Sequence, residues 1–344
     1  MSQPLNVMVS GGSGFIAGYC IAQLLKDGHT VHTTVRKLSR EPQVREMLAR
    51  IAPDQARLHF FEADLTGDSG WADAIAGCSH VLHVASPLPT TLPRSDDELV
   101  IPARDGALRV LRAARDAGVK RTVLTSSTAA ITYGTDPGGK TRFTEDDWTD
   151  PTHPDTSPYI RSKTIAERAA WDFMAAEGGS MEFCTVNPGA VLGPVLGPDF
   201  SASIEIIKKL LGGEFPGTPK LGFPIVDVRD IADLHVRAMT HPDAPGQRFL
   251  GACEFWWMAD MATVLKDNLG IRARKVPTRP LPSWLVRLIA RMDPVTRSVV
   301  FELDKRREAP GEKARRVLGW SPRTVEASII DTAESLIREG IVRV

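Results

Sequence analysis

Tyr159 and Lys163 form the pair in this chain best suited to moving a proton. They stand four apart, so on a helix they share one face. An ammonium beside a phenol favours the phenolate and draws its pKa down from the unperturbed value of about 10. Upstream, Thr125-Ser126-Ser127 places hydroxyls where a strand pattern, Val119 to Leu124, ends. At the start of the chain, Ser10-Gly11-Gly12-Ser13-Gly14-Phe15-Ile16-Ala17-Gly18 follows an apolar Val7-Met8-Val9 and leads into a helix-like run to Lys26. Strand, glycine turn and helix in that order mark a dinucleotide site; glycines alone would read equally as a plain β–α turn. Gly11 allows the tight turn, and Gly14 lets the backbone approach a pyrophosphate seated on the helix amides. Ala17 takes the third small position.

A second strand, Thr30 to Val35, ends in Arg36-Lys37, with Arg40 close behind. NAD enzymes commonly carry an acid here for the ribose hydroxyls. A guanidinium instead forks onto a 2′-phosphate and stacks on adenine, so NADP(H) is the expected cofactor, the alternative being a solvated basic turn. Asp64 follows a third strand, Arg57 to Glu62, and is placed to touch the adenine amino group or to cap a helix at Trp71 to Ala76. His80 to Pro87 is a fourth strand running into a loop whose Ala85 and Ser86 line the cofactor. His80 and His83 fall on opposite faces of that strand, so no metal site is expected.

The elements that must hold these groups follow from periodicity. Helical spacing runs from Asp97 to Ala117, ending at Gly118, and from Ser162 to Ala176; Phe183 to Val186 is a sixth strand. This alternation predicts an α/β fold, a Rossmann-type doubly wound parallel sheet with a smaller, mostly helical C-terminal substrate domain. Residues 1–190 are expected to bind the dinucleotide, with 223–252 returning to that unit, while 191–222 and 253–344 form the substrate side. Within the substrate side, Phe200, Ile204, Ile207, Leu211, Phe215 and Phe223 are expected to build an apolar pocket, with the adjacent Lys208 and Lys209 as weak support for a phosphate-bearing substrate and equally readable as a solvated helix face. Further helices are expected at Met258–Leu269, Ser283–Arg291 and Glu326–Glu339.

Composition narrows the partners. The formal net charge is zero, which gives no electrostatic pull toward nucleic acid or an anionic membrane. No apolar run approaches the roughly 18 residues that span a bilayer. Met1-Ser2-Gln3-Pro4 lacks the basic and apolar regions of a secretion signal. Cys20, Cys78, Cys184 and Cys253 show no paired spacing, and a reducing cytoplasm suits them.

Taken together, these stretches resemble the extended short-chain dehydrogenase/reductase superfamily, in its dihydroflavonol 4-reductase-like group and the bacterial aldehyde/ketone reductase branch of that group. The matching residues are Val9 to Ala17, Val35-Arg36, His83 to Pro87, Thr125 to Ser127, and Tyr159 with Ser162-Lys163-Thr164. Ala166-Glu167, Ala170-Trp171, Asn187-Pro188, Leu192-Gly193-Pro194, Val226 to Asp230 and the tail Leu318 to Arg323 match as well. The resemblance implies a catalytic set of Ser127, Tyr159 and Lys163, with Ser126 and Thr128 one residue to either side of the serine role. Tyr159 would protonate the carbonyl oxygen, Lys163 would hold the nicotinamide ribose, and Ser127 would bond the same oxygen. The cofactor contacts implied are Gly11, Ser13, Gly14, Phe15, Ile16, Arg36, Lys37, Asp64, Leu65, Val84, Ala85, Ser86, Thr125, Ser126, Tyr159, Lys163, Pro188, Gly189 and Val191. Thr132 stands where plant dihydroflavonol reductases use Asn to read a flavonoid hydroxyl, and is the expected substrate contact. The activity implied is NADPH-dependent reduction of a small or medium aldehyde or ketone. A sugar-nucleotide epimerase or dehydratase retaining NAD, and a dihydroflavonol or cinnamoyl-CoA type reductase, are the alternatives.

Overall fold

The computed structural model describes residues 3–87, 95–135, 139–197 and 200–344. Met1 and Ser2 of the amino-terminal reading, and residues 198–199 of the substrate-side segment, lie outside the described residues. The first half alternates β1 (Asn6–Val9), α1 (Phe15–Lys26), β2 (Thr30–Val35), α2 (Glu41–Ala49), β3 (Leu58–Glu62) and α3 (Trp71–Ile75). It continues with β4 (His80–His83), α4 (Asp97–Asp116), β5 (Arg121–Thr125), α5 (Pro158–Glu177) and β6 (Glu182–Pro188). Then come β7 (Ala190–Leu192), α6 (Ala202–Gly212), β8 (Thr218–Pro219), β9 (Gly222–Asp227), α7 (Val228–Thr240) and β10 (Arg248–Gly251). The remainder holds β11 (Phe255–Trp257), α8 (Met258–Leu269), β12 (Pro280–Leu281), α9 (Ser283–Ile289), α10 (Pro294–Val299), α11 (Glu312–Leu318) and α12 (Val325–Arg338).

Seven strands make one parallel sheet in the order β3-β2-β1-β4-β5-β6-β10. Its strands are covered on both faces. Val7 and Val9 enter the core beneath α1 and α7, whereas Met8 enters the opposite core beneath α4 and α5. Val123 against Leu124, and Cys184 with Val186 against Phe183, repeat that alternation. A two-residue period with both sides apolar is what helices on both faces demand. All the strands therefore deliver their carboxyl ends to one edge.

Two local signals differ from the sequence reading. α5 begins at Pro158, before the expected Ser162, because the Ser157 hydroxyl accepts the Ile160 amide at 3.4 Å and proline suits the first helical position. Tyr159 is thereby fixed in the first turn. Within the expected returning segment 223–252, β9 does not join the large sheet but pairs in parallel with β7 and antiparallel with β11 in a separate three-stranded sheet. Only α7 and β10 return. The C-terminal chain clasps this small sheet, with the Thr332 and Ser335 hydroxyls of α12 accepting the Gly193 and Val195 amides at 2.7 and 2.9 Å.

The turn after β1 needs its glycine. Gly11 has φ +75°, and a Cβ there would lie 2.9 Å from the Ala85 Cβ. Gly11→Ala is expected to lower the unfolding free energy by about 1–3 kcal/mol. The measurement is the urea midpoint at unchanged m; an unaltered midpoint would show that the turn and the β4 loop yield freely.

Candidate active site

The expected groups assemble along the carboxyl edge of the sheet. Gly11 to Gly14 follow β1, Arg36 follows β2, Asp64 follows β3, Ser86 follows β4, Ser127 follows β5, and Gly189 follows β6. Ser10 stitches two of these ends together. Its hydroxyl oxygen accepts the Val84 and Ala85 amides, both at 2.9 Å. Its one proton therefore goes to His83 Nδ1 at 2.8 Å, which leaves the ring hydrogen on Nε2. Burial, aided by the nearby Lys163 charge, pushes the His83 pKa down to about 3.

The turn fits a dinucleotide. Gly14 sits at the N-cap of α1 with no side-chain cap, and the first turn carries no acid, so its amides face outward unopposed. A Cβ at Gly12 would meet the Thr33 Oγ1 at 2.4 Å, so glycine alone keeps this approach open. Arg36 and Lys37 are both exposed at the end of β2. Asp64 does not cap α3, whose N-cap is Gly70; its carboxylate accepts the Thr66 amide and hydroxyl at 2.8 and 2.7 Å. Those bonds hold its pKa below the usual carboxylate value, with the Arg36 charge adding to the effect.

Tyr159 is exposed on the first turn of α5, and Lys163 Nζ lies 5.9 Å from its ring centroid. The same ammonium donates to Ser86 Oγ at 3.0 Å, tying α5 to the end of β4. Ser127 is half-buried, and its Oγ accepts the Ala129 amide at 3.1 Å, so its own proton remains for an incoming oxygen. The neighbours are committed otherwise. Ser126 is buried and gives its proton to Glu167, and Thr125 bonds His235 Nε2 at 2.7 Å. Thr128 is buried as well. Any cofactor contact from Thr125 or Ser126 is left to their backbones.

Other expectations need correction. Thr132 is 2% exposed, and its hydroxyl donates to the Thr128 carbonyl at 3.1 Å. It has no surface to offer a substrate. Ile204, Ile207 and Leu211 are wholly buried in the core rather than lining a pocket, because α6 packs its apolar face against α12 and α8. Val191 is also in the core, and Phe15 and Pro188 are buried. Lys208 is paired with Glu205 at 3.1 Å.

Three features were given no role by the sequence. Glu167 and Asn187 matched the family pattern without a role, yet Glu167 pairs with Arg248 at 2.7 Å in the interior. Arg248, on the last sheet strand, stood in no motif. Tyr133 lies under the Arg307 guanidinium at 4.3 Å and faces Phe301 at 6.4 Å, while Arg307 pairs with Glu302. A cleft of about 1040 Å³ lies elsewhere, between α1, α7 and the end of α12. Its Arg229 and Arg323 are already paired with Asp227, Asp331 and Asp230.

Comparison with known proteins accords with this arrangement. A model described as the NAD dependent epimerase/dehydratase family matches residues 7–250. A cinnamoyl-CoA reductase of Medicago truncatula is 35% identical over 334 residues, covering 96% of this chain and 95% of the relative. A dihydroflavonol 4-reductase of Hordeum vulgare is 30% identical over 269 residues, covering 76% and 74%. The crystal structure of a yeast methylglyoxal/isovaleraldehyde reductase complexed with NADPH has a TM-score of 0.81 at 25% identity, covering 98% of this chain and 100% of that one.

The buried histidines set a pH dependence. Desolvation lowers the pKa of His83 to about 3 and of His235 to about 4. The unfolded rings protonate near 6.5, so the unfolded state binds more protons below that pH, and stability falls as pH drops. From pH 8 to pH 5 each of the two histidines is expected to remove about 2 kcal/mol. Urea midpoints at the two pH values measure this, and His235→Asn should flatten the slope. Equal midpoints would mean that the rings protonate freely in the fold.

Proposed function

The chain belongs to the NAD dependent epimerase/dehydratase family, and on that premise we propose that it is an NADPH-dependent reductase of small or medium aldehydes or ketones. The observation that carries the proposal is the placement of Tyr159 and Lys163. Both stand on the first two turns of α5, with Lys163 reaching Ser86 at the end of β4, where ligands of doubly wound sheets bind. Bound NADPH supplies the hydride. Tyr159 gives its proton to the carbonyl oxygen, and the Lys163 ammonium steadies the phenolate left behind while holding ribose hydroxyls. Ser127 donates its free proton to the same oxygen, where negative charge develops.

Cofactor choice rests on Arg36, exposed at the end of β2 where NAD enzymes carry an acid. The similar yeast reductase is complexed with NADPH, which supports this choice. For the substrate, Tyr133 and Phe301 supply an aromatic wall beside the catalytic helix. The pairing of Lys208 with Glu205 takes from α6 one of the two cations that a nucleotide or CoA phosphate could use. In this reading residues 1–190 with 228–252 bind the dinucleotide, and the small sheet with the C-terminal helices forms the substrate side. Among the described residues no helix is long and apolar enough to cross a membrane. All four cysteines are free, which suits a cytoplasmic setting.

Arg36→Glu is expected to weaken NADPH binding by about tenfold to a hundredfold, since a charge-assisted contact is worth roughly 1.5–3 kcal/mol. NADH should be little affected. A wild-type preference for NADH would overturn the cofactor reading.

Tyr159→Phe is expected to abolish turnover while NADPH still binds, because only the proton donor is removed. The assay should span an aromatic aldehyde, an aryl ketone, a dihydroflavonol and a cinnamoyl-CoA. Near-normal turnover by Tyr159→Phe would assign the proton to another group, and a kcat/KM about tenfold higher for either of the last two compounds would replace the substrate class.

A further inference from the structure

Glu167 lies on α5 one turn beyond Lys163, and its side chain has no solvent exposure. Its carboxylate is met by donors from four directions. Arg248 Nε and Asn187 Nδ2 each donate at 2.7 Å, Trp171 Nε1 donates at 3.4 Å, and the Ser126 hydroxyl donates as well. The single Thr185 proton serves either Glu167 at 3.2 Å or Asn187 Oδ1 at 2.9 Å. Arg248 is braced in turn. Its Nη1 donates to the Glu145 and Asp147 carbonyls at 2.8 and 2.7 Å, and its guanidinium lies 3.7 Å from the Trp148 ring centroid.

Two of the donors to Glu167 border the reacting centre. Ser126 immediately precedes Ser127. The Asn187 amide spends its second hydrogen on the Ser127 carbonyl at 3.2 Å. Ser127 is thus held from both sides by groups that refer to one carboxylate, and that carboxylate rides on the helix bearing Tyr159 and Lys163. An ion pair alone would need neither Ser126 nor Asn187. A buried pair also adds little stability over an apolar replacement, so what this one supplies is geometry.

We infer that Glu167 is a positioning residue: anchored by Arg248, it sets the Ser127 hydroxyl relative to Tyr159 through Ser126 and Asn187. It acts on reduction without touching substrate or cofactor. The inference rests on the Ser127, Tyr159 and Lys163 roles proposed above. A misplacement of about 1 Å in such a site costs about a hundredfold in rate.

Two variants test it. Glu167→Gln replaces one acceptor oxygen with an amide donor among groups that are themselves donors and leaves the buried Arg248 charge without a counter-ion, so it can fail to fold. Asn187→Ala keeps the ion pair but removes the amide that joins Glu167 to the Ser127 carbonyl, together with one acceptor for the Thr185 hydroxyl. Each is made in the wild-type chain and in a Ser127→Ala background, with kcat read on the best carbonyl substrate of the panel and NADPH affinity read by fluorescence. In the wild-type chain, kcat should fall about tenfold to a hundredfold with NADPH affinity changed less than about threefold. In the Ser127→Ala background the same change should cost less than about threefold, since the hydroxyl being positioned is gone. Equal fold-losses in both backgrounds, or a parallel loss of NADPH affinity, would overturn the role. Tyr159→Phe run alongside separates the two claims: retained turnover removes the proposed roles themselves, whereas an inactive Tyr159→Phe with an additive cycle removes Glu167 alone.

Discussion

The buried pair of Glu167 and Arg248 is the contact on which the reactive edge of this protein depends. Taking two ions out of water costs several kcal/mol each. That cost is offset because the carboxylate meets only donors, while the guanidinium reaches two carbonyls and an aromatic face. Four elements meet there: α5, β6 and β10 themselves, and the chain leaving β5. Apolar packing between a helix and a strand end leaves small slides nearly free, since contacts between methyl groups have no preferred direction. Hydrogen bonds to a charged group remove that freedom.

A second stitch works at the other side of the edge. The Ser10 hydroxyl uses both lone pairs and its proton, drawing the β4 loop against the glycine turn. Lys163 then joins that loop to α5 through Ser86. The glycine turn and α5 are therefore linked through short polar contacts rather than through the sheet alone. The C-terminal chain completes the frame from outside. Arg323 pairs with Asp230, Trp320 Nε1 donates to the Asp230 carbonyl at 2.8 Å, and Arg229 bridges Asp227 and Asp331. These contacts hold the start of α7 to the small sheet and α12.

Charge in this molecule acts locally. The chain is neutral overall, yet Arg36 and Lys37 stand exposed at one strand end and Arg248 is deep within the core. The first arrangement suits an arriving phosphate, which brings its own charge. The second suits a permanent partner, since an unpaired buried guanidinium would not be tolerated. A third charged group is settled by an aromatic neighbour: Arg307 pairs with Glu302 and lies over the Tyr133 ring, which faces Phe301.

By itself the sequence determined the alternating α/β order, the glycine turn, the basic end of β2 and the Tyr159–Lys163 spacing. Each of these is a local property. A two-residue or near-four-residue period, a positive φ at Gly11 and a charge beside a strand end are written within a few neighbouring residues. Tertiary structure alone decided that β9 joins a separate sheet, that the apolar residues of α6 face the core, and that Thr132 is buried rather than open to substrate. It also decided which hydroxyl in Thr125-Ser126-Ser127 keeps its proton, because His235 and Glu167 take the other two. Arg248 meets Glu167 across 81 residues of chain, and no periodicity spans that distance. Such contacts arise only when β10 takes its place beside β6, so their physical cause is the assembled sheet.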